Sequence, residues 1–207
     1  MLSFTHERSV YFYHSIIAQP IIPLCTTAVW NQTFSIVAGA TANAGSTSTL
    51  LNAPFDISFD AYQNMYIADY YNNRIQRYTQ GSAAATTVAG FNLASGSTRS
   101  ELYYPSSVTI TGNGTMFILD DYNHRVLRWQ VGDQMGTIVA GGNGLGSAFT
   151  QMGYSASIFV DSQLNVYLSE NSYHRITLWS AGNTTAGQLV IFIVLTKSCF
   201  SISFILF

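Results

Sequence analysis

Ile67-Ala68-Asp69-Tyr70-Tyr71-Asn72-Asn73-Arg74-Ile75 returns 51 residues later as Ile118-Leu119-Asp120-Asp121-Tyr122-Asn123-His124-Arg125-Val126. After a further 50 residues it returns as Leu168-Ser169-Glu170-Asn171-Ser172-Tyr173-His174-Arg175-Ile176. The same register carries Leu51-Asn52-Ala53-Pro54 onto Leu102-Tyr103-Tyr104-Pro105, and Val88-Ala89-Gly90 onto Val139-Ala140-Gly141. One step backward finds Val37-Ala38-Gly39, and Tyr78 maps onto Trp129 and then Trp179. So many matches in one register mark an internal repeat, which decides the fold before any single strand is assigned.

Each period reads as four short strands. In the first, Phe55, Ile57 and Phe59 alternate along one face of a strand over 55–59, and a polar turn leads to a second strand over 64–68. A third runs over 74–79 and a fourth over 86–89, ended by Gly90. Alternation of period two marks half-buried strands, and the Gly- and Ser-rich stretches 92–97 and 141–147 mark loops. No window carries apolar residues at the three- and four-residue spacing of a helix face. Four antiparallel strands per repeat are the pattern of a propeller blade. The fold class is therefore all-β, a β-propeller with an incomplete set of about three four-stranded blades. The expected organisation is an irregular segment over 1–29, a partial blade over 30–50, and repeats near 51–101, 102–151 and 152–190. An apolar tail follows over 191–207.

The triplets Asn72-Asn73-Arg74, Asn123-His124-Arg125 and Tyr173-His174-Arg175, each followed by Ile or Val, resemble those of the NHL-repeat family. The acids upstream and the Val-Ala-Gly pieces downstream recur in the same order, and the resemblance covers roughly 30–190. The third repeat departs most, with Ser155 where Pro54 and Pro105 stand and Glu170 in place of aspartate. The resemblance implies closed rings of about six blades, of which this chain carries about half. It also implies family roles: recruiting substrates for ubiquitin ligases, binding single-stranded RNA, or, in peptide-amidating lyases, holding zinc on central histidines.

Composition narrows those roles. Charged residues make up 9% of the 207 residues, and net charge is −2. Nucleic-acid binding needs clustered cations that displace counterions, so it is disfavoured. The single lysine, Lys197, lies in the tail. A RING-type cysteine and histidine module is absent from this sequence, whose two cysteines are Cys25 and Cys199. A zinc centre wants three or four protein ligands, and the repeats offer only His124 and His174. Residues 189–207 could meet a membrane, although Lys197 interrupts the span that a bilayer requires. Sequons at Asn31, Asn113 and Asn183, together with scarce lysine, lean the chain towards an extracellular or membrane-associated setting.

The recurrent polar positions are Asp69, Asn72, Arg74, Asp120, Asn123, Arg125, Glu170, His174 and Arg175. A catalytic group is needed once, whereas these recur in every repeat, so they are expected to be structural. Each acid ends the second strand and each arginine opens the third. The hairpin between them would let the carboxylate accept two guanidinium hydrogen bonds, with Asp120 or Asp121 serving Arg125. Tyr78, Trp129 and Trp179 are expected to fill space between blades. The function expected is a non-catalytic binding or scaffold module for a protein or glycan partner, with no cofactor. Self-association to complete a propeller is one further expectation. The alternative is a fragment of a larger protein of the ligase-recruiter or amidating-lyase type.

Overall fold

The structure, a computed structural model, describes residues 33–130, 132–182 and 186–190. The chain divides into two units, Met1–Ser35 and Ile36–Phe207, and the fold described here is that of the second. Cys25, Cys199, Asn31, Asn183 and the segments 1–29 and 191–207 lie outside the described residues.

Three four-stranded antiparallel sheets follow one another along the chain. The first contains β1 (Pro54–Phe59), β2 (Met65–Asp69), β3 (Arg74–Tyr78) and β4 (Thr86–Ala89). The second contains β5 (Pro105–Ile110), β6 (Thr115–Asp120), β7 (Arg125–Gln130) and β8 (Thr137–Gly141). The third contains β9 (Ser155–Val160), β10 (Val166–Glu170), β11 (Arg175–Trp179) and the two-residue β12 (Gln188–Leu189). Every sheet is a meander in which sequential strands pair. Between its second and third strands each carries a three-residue 3₁₀ turn: Tyr70–Asn72, Asp121–Asn123 and Asn171–Tyr173.

The central strands β2 and β6 are buried along their whole length, and their two faces serve different interfaces. Tyr66 and Ala68 join Leu102, Val108, Met116, Ile118, Leu127 and Trp129 in a core between the first and second sheets. Met65 and Ile67 pack with Tyr78 on the opposite side of the first sheet. In β6, Met116 and Ile118 face the first sheet, while Phe117 and Leu119 join Ile158, Val166, Leu168 and Trp179 in the core shared with the third. A strand of period two divides its side chains between two faces, so a continuous apolar run feeds both neighbours. Trp129 and Trp179 are fully buried in the two cores between sheets.

The Val-Ala-Gly repeats have a steric cause. Gly90 and Gly141 adopt φ of +74° and +66°, in the left-handed region. A Cβ on Gly90 would collide with the Asn73 carbonyl oxygen, and one on Gly141 with the Met152 sulfur and the His124 carbonyl oxygen. Glycine at these sites lets the fourth strand close against the turn of its own blade.

Residues 33–50, the described part of the partial blade expected over 30–50, contain no strand. Val37-Ala38-Gly39 has no third strand beside it in these residues, so it has no ladder to join. Several backbone carbonyls of this stretch instead hold the first sheet, as described next.

Candidate binding site: polar clamps beneath an aromatic ladder

Asp69 and Arg74 form the last pair of the β2–β3 ladder, so their side chains meet at the end of that hairpin. Both are buried, and Arg74 Nε donates to Asp69 Oδ2 at 2.7 Å. The remaining guanidinium nitrogens turn away from the acid and donate to the carbonyls of Ser46, Thr47 and Leu50 at 2.7–3.0 Å. Asn72 Nδ2 also donates to Asp69 Oδ2 and to the Gly45 carbonyl, both at 2.8 Å. Asp69 Oδ1 receives the Asn52 N–H at 2.7 Å. One acid, one amide and one arginine thus bind a blade to the connector that precedes it.

The second blade repeats the clamp. Arg125 Nε donates to Asp120 Oδ2 at 2.7 Å, and its other nitrogens donate to the carbonyls of Ser97, Thr98 and Glu101. Asn123 donates to Asp120 and to the Gly96 carbonyl. Asp120, not Asp121, is therefore the partner of Arg125. Asp121 reaches across to the third blade, where it accepts the Ser155 N–H at 2.8 Å.

In these two blades the acid accepts one guanidinium hydrogen bond, not the two expected from the hairpin spacing. The longer glutamate of the third blade does accept two, from Arg175 Nε at 3.1 Å and Nη2 at 2.9 Å. The extra methylene of Glu170 lets its carboxylate lie side-on to the guanidinium. Tyr173 occupies the asparagine position there, and the Thr177 hydroxyl, 2.8 Å from Glu170 Oε1, supplies the further donor.

The second residue of each triplet, Asn73, His124 or His174, has φ of 50–53°. Asparagine and histidine tolerate this left-handed conformation better than most residues. His174 is exposed, whereas His124 is half-buried and burial holds its imidazolium form below the usual pKa. Among the described residues no three His, Cys, Asp or Glu side chains gather closely enough to hold a metal ion. Asn113 is exposed in the β5–β6 turn and accepts from the Thr111 hydroxyl at 2.6 Å.

Above the clamps, at the end of the blades that carries the 3₁₀ turns, lies a continuous run of rings. Phe55 stacks on Tyr70 with centroids 4.4 Å apart, and Tyr70 stacks on Tyr104 at 4.8 Å. Tyr104 meets Tyr122 edge-on at 4.8 Å, and Tyr122 lies 5.2 Å from Tyr154. Tyr71 and Tyr103 flank Tyr104, and His124 lies edge-on to Tyr154 at 5.0 Å. Residues from all three blades contribute. Phe55, Tyr71, Tyr122 and Tyr154 are exposed.

The ladder is held from below by the backbone. Tyr71 N–H donates to the Asn52 carbonyl and Tyr122 N–H to the Tyr103 carbonyl, at equivalent places in two blades. Tyr104 has φ of +52°, a strained value for a residue with a bulky side chain. Burial pushes the Tyr70 hydroxyl up to about 12, reinforced by Tyr122 and Asp121, so it stays neutral. Burial also raises Asp121 to about 6, against the lowering effect of the Ser155 N–H and with the Asp120 charge adding to the rise. Repeat logic alone misses this ladder. Its sequence signal is the tyrosine doublets 70–71 and 103–104, with Tyr122 and Tyr154 at the same blade end.

No protein-family profile matches this chain, and no curated protein matches it. Solved structures do. A propeller chain in the nidogen/laminin complex superposes with a TM-score of 0.52 at 16% identity, over 68% of this chain and 49% of that one. A catalytically inactive virginiamycin B lyase from Staphylococcus aureus, solved with quinupristin, gives 0.48 at 15% identity, over 72% of this chain and 43% of the lyase. A streptogramin B lyase gives 0.47 at 10% identity, over 66% of this chain and 40% of that one. This chain thus spans less than half the length of each. Its three successive four-stranded meanders and the nidogen/laminin superposition establish the fold as that of consecutive β-propeller blades.

Proposed function

We propose that this chain is a non-catalytic binding module built from NHL-type blades, and that its partner, a protein or a glycan, seats on the aromatic ladder. The observation that carries this reading is the run from Phe55 through Tyr70, Tyr104 and Tyr122 to Tyr154, shared by three blades and partly open to solvent. Tyrosine offers large contact area and a polar tip with few rotors to freeze, which is why it anchors recognition surfaces. The blades and clamps beneath supply rigidity, so little ordering is needed on contact. With charged residues at 9% of the chain, affinity rests on ring contacts and hydroxyl hydrogen bonds. The recurring clamps, one to a blade, are read as scaffold.

The test is to probe arrays of peptides and glycans with the wild-type chain and with Tyr122→Ala. Ligands that the wild type binds and the variant binds at least tenfold more weakly are the expected result, since hot-spot aromatic truncations cost about 2 kcal/mol or more. Ligands held equally by both overturn the placement of the site.

A further inference from the structure

Tyr71 and Tyr122 occupy the same place in the turns of two successive blades, and both stand nearly upright against Tyr104. Their rings make angles of 79° and 84° with it, at centroid distances of 5.4 and 4.8 Å. Tyr104 is half-buried and stacked on Tyr70, whereas Tyr71 is 54% and Tyr122 38% exposed. Tyr154 continues the row, also exposed, with its ring tilted by 59° to that of Tyr122. Rings set at such angles meet solvent with their edges, their hydroxyl tips and the recesses between them. These four residues sit at the two junctions between the described blades.

The chemistry of this surface is neutral. Arg74, Arg125 and Arg175, the arginines at this end of the blades, are bound to Asp69, Asp120 and Glu170. Asp121 is buried, with one oxygen on the Ser155 N–H. The amides of Asn72 and Asn123 donate to the acids and the connectors, and that of Asn73 is used at both ends. A sugar is gripped where amides and carboxylates pair with its neighbouring hydroxyls, and here those side chains are turned inward. What faces outward is tyrosine: the hydroxyls of Tyr71 and Tyr154 make no hydrogen bond among the described residues.

We propose, on the reading that the ladder is the binding site, that its occupant is a proline-rich segment of a partner protein in the polyproline II conformation. Such a segment has no internal hydrogen bonds, so its carbonyls are free acceptors for tyrosine hydroxyls. Its pyrrolidine rings are uncharged and of a size to enter the recess between two aromatic rings, as in other aromatic-lined grooves that hold such peptides. The path through Tyr104 keeps Tyr71 and Tyr122 no more than about 10 Å apart, and one turn of the peptide advances about 9 Å. Prolines one turn apart therefore meet equivalent tyrosines of successive blades. The segment is extended before it binds and the rings are braced by the blades, so little freedom is lost on either side.

Titration calorimetry of the full chain with three probes tests the inference: a ten-residue proline homopeptide, a glycine–serine peptide of equal length, and neutral hexasaccharides. The proline peptide should bind and the glycine–serine peptide should not. Tyr71→Ala and Tyr122→Ala should each weaken the proline peptide by about tenfold or more. Tyr71→Phe keeps the ring and its packing, and should weaken it several-fold by removing one donor, which a folding defect would not explain. A hexasaccharide bound instead, and lost in Tyr122→Ala, overturns the proline assignment and leaves the ladder as the site. A proline peptide that fails to bind at millimolar concentration, or that wild type and both alanine variants hold equally, overturns the inference. If no probe and no array ligand depends on Tyr122, the placement of the site falls with it.

Discussion

Asn73 Oδ1 accepts the Tyr104 N–H at 3.0 Å, so the left-handed residue of one blade's turn holds the left-handed tyrosine of the next. Asn73 Nδ2 in addition donates to the Leu93 carbonyl of the connector between them. The amide fixes Tyr104 where its ring bridges Tyr70 of the first blade and Tyr122 of the second. Asn73→Ala should therefore lower partner affinity several-fold without removing any ring, and should also reduce stability. Titration calorimetry with an array-identified ligand, together with urea unfolding, separates the two effects.

Tyr104 itself distinguishes conformation from contact. Glycine is at ease at φ of +52°, whereas alanine keeps the strain of the left-handed region. Tyr104→Gly should be more stable than Tyr104→Ala by about 1 kcal/mol. Both should lose binding to a similar degree, since both lack the ring. Chemical denaturation midpoints read the first comparison.

Removing Arg125 strands a buried carboxylate. Asp120 would keep its Tyr103 N–H and Asn123 donors but lose its countercharge, and the carbonyls of Ser97, Thr98 and Glu101 would lose theirs as donors. Breaking a buried pair from one side costs about 3–5 kcal/mol. Arg125→Ala should lower stability by that order in urea, and Arg125→Lys should recover only part of it, because an ammonium lacks the fork. An unchanged melting temperature would contradict the scaffold reading.

Asp121 gives a pH signature. Its folded-state pKa of about 6 lies above the ordinary aspartate value of about 3.9, so the folded chain holds this proton more tightly than the unfolded one. Its contribution to stability is present in full below the unfolded value and is lost as pH rises through about 6. Asp121→Asn keeps an oxygen for the Ser155 N–H and removes the charge. It should melt about 3 °C higher than wild type at pH 7, with the difference vanishing near pH 4. Differential scanning calorimetry across that range reads it.

The blades were legible because strand alternation and the 51-residue register are both local properties of the chain. The strands expected over 55–59, 64–68, 74–79 and 86–89 correspond to β1–β4 within a residue at each end. The five-residue spacing of Asp69 and Arg74 placed them across one hairpin, but not the destination of the arginine's other donors. Those go to carbonyls 24–28 residues earlier, which depends on how the connector folds back. The aromatic ladder was harder still. Tyr104 stacks on Tyr70 and Tyr154 approaches Tyr122, in each case a ring of the preceding blade, so these contacts form only once sheets stack. Tyr71 with Tyr122 and Tyr104 with Tyr154 recur in register, but Phe55 and Tyr70 have Ser106 and Asp121 as their counterparts, so the run as a whole escapes a search for identities.

Each clamp also sets how the molecule would respond to force. Arg74 and Arg125 pin loops that lie just upstream of their own blades, so every connector is locked at a point within its own repeat. Tension applied along the chain meets a separate lock at each of these points. A blade gives way when its arginine lets go, releasing one repeat of 51 residues, or about 170 Å of extended polypeptide. Pulled from its ends, this protein would lengthen in a series of near-equal steps, each reporting one clamp.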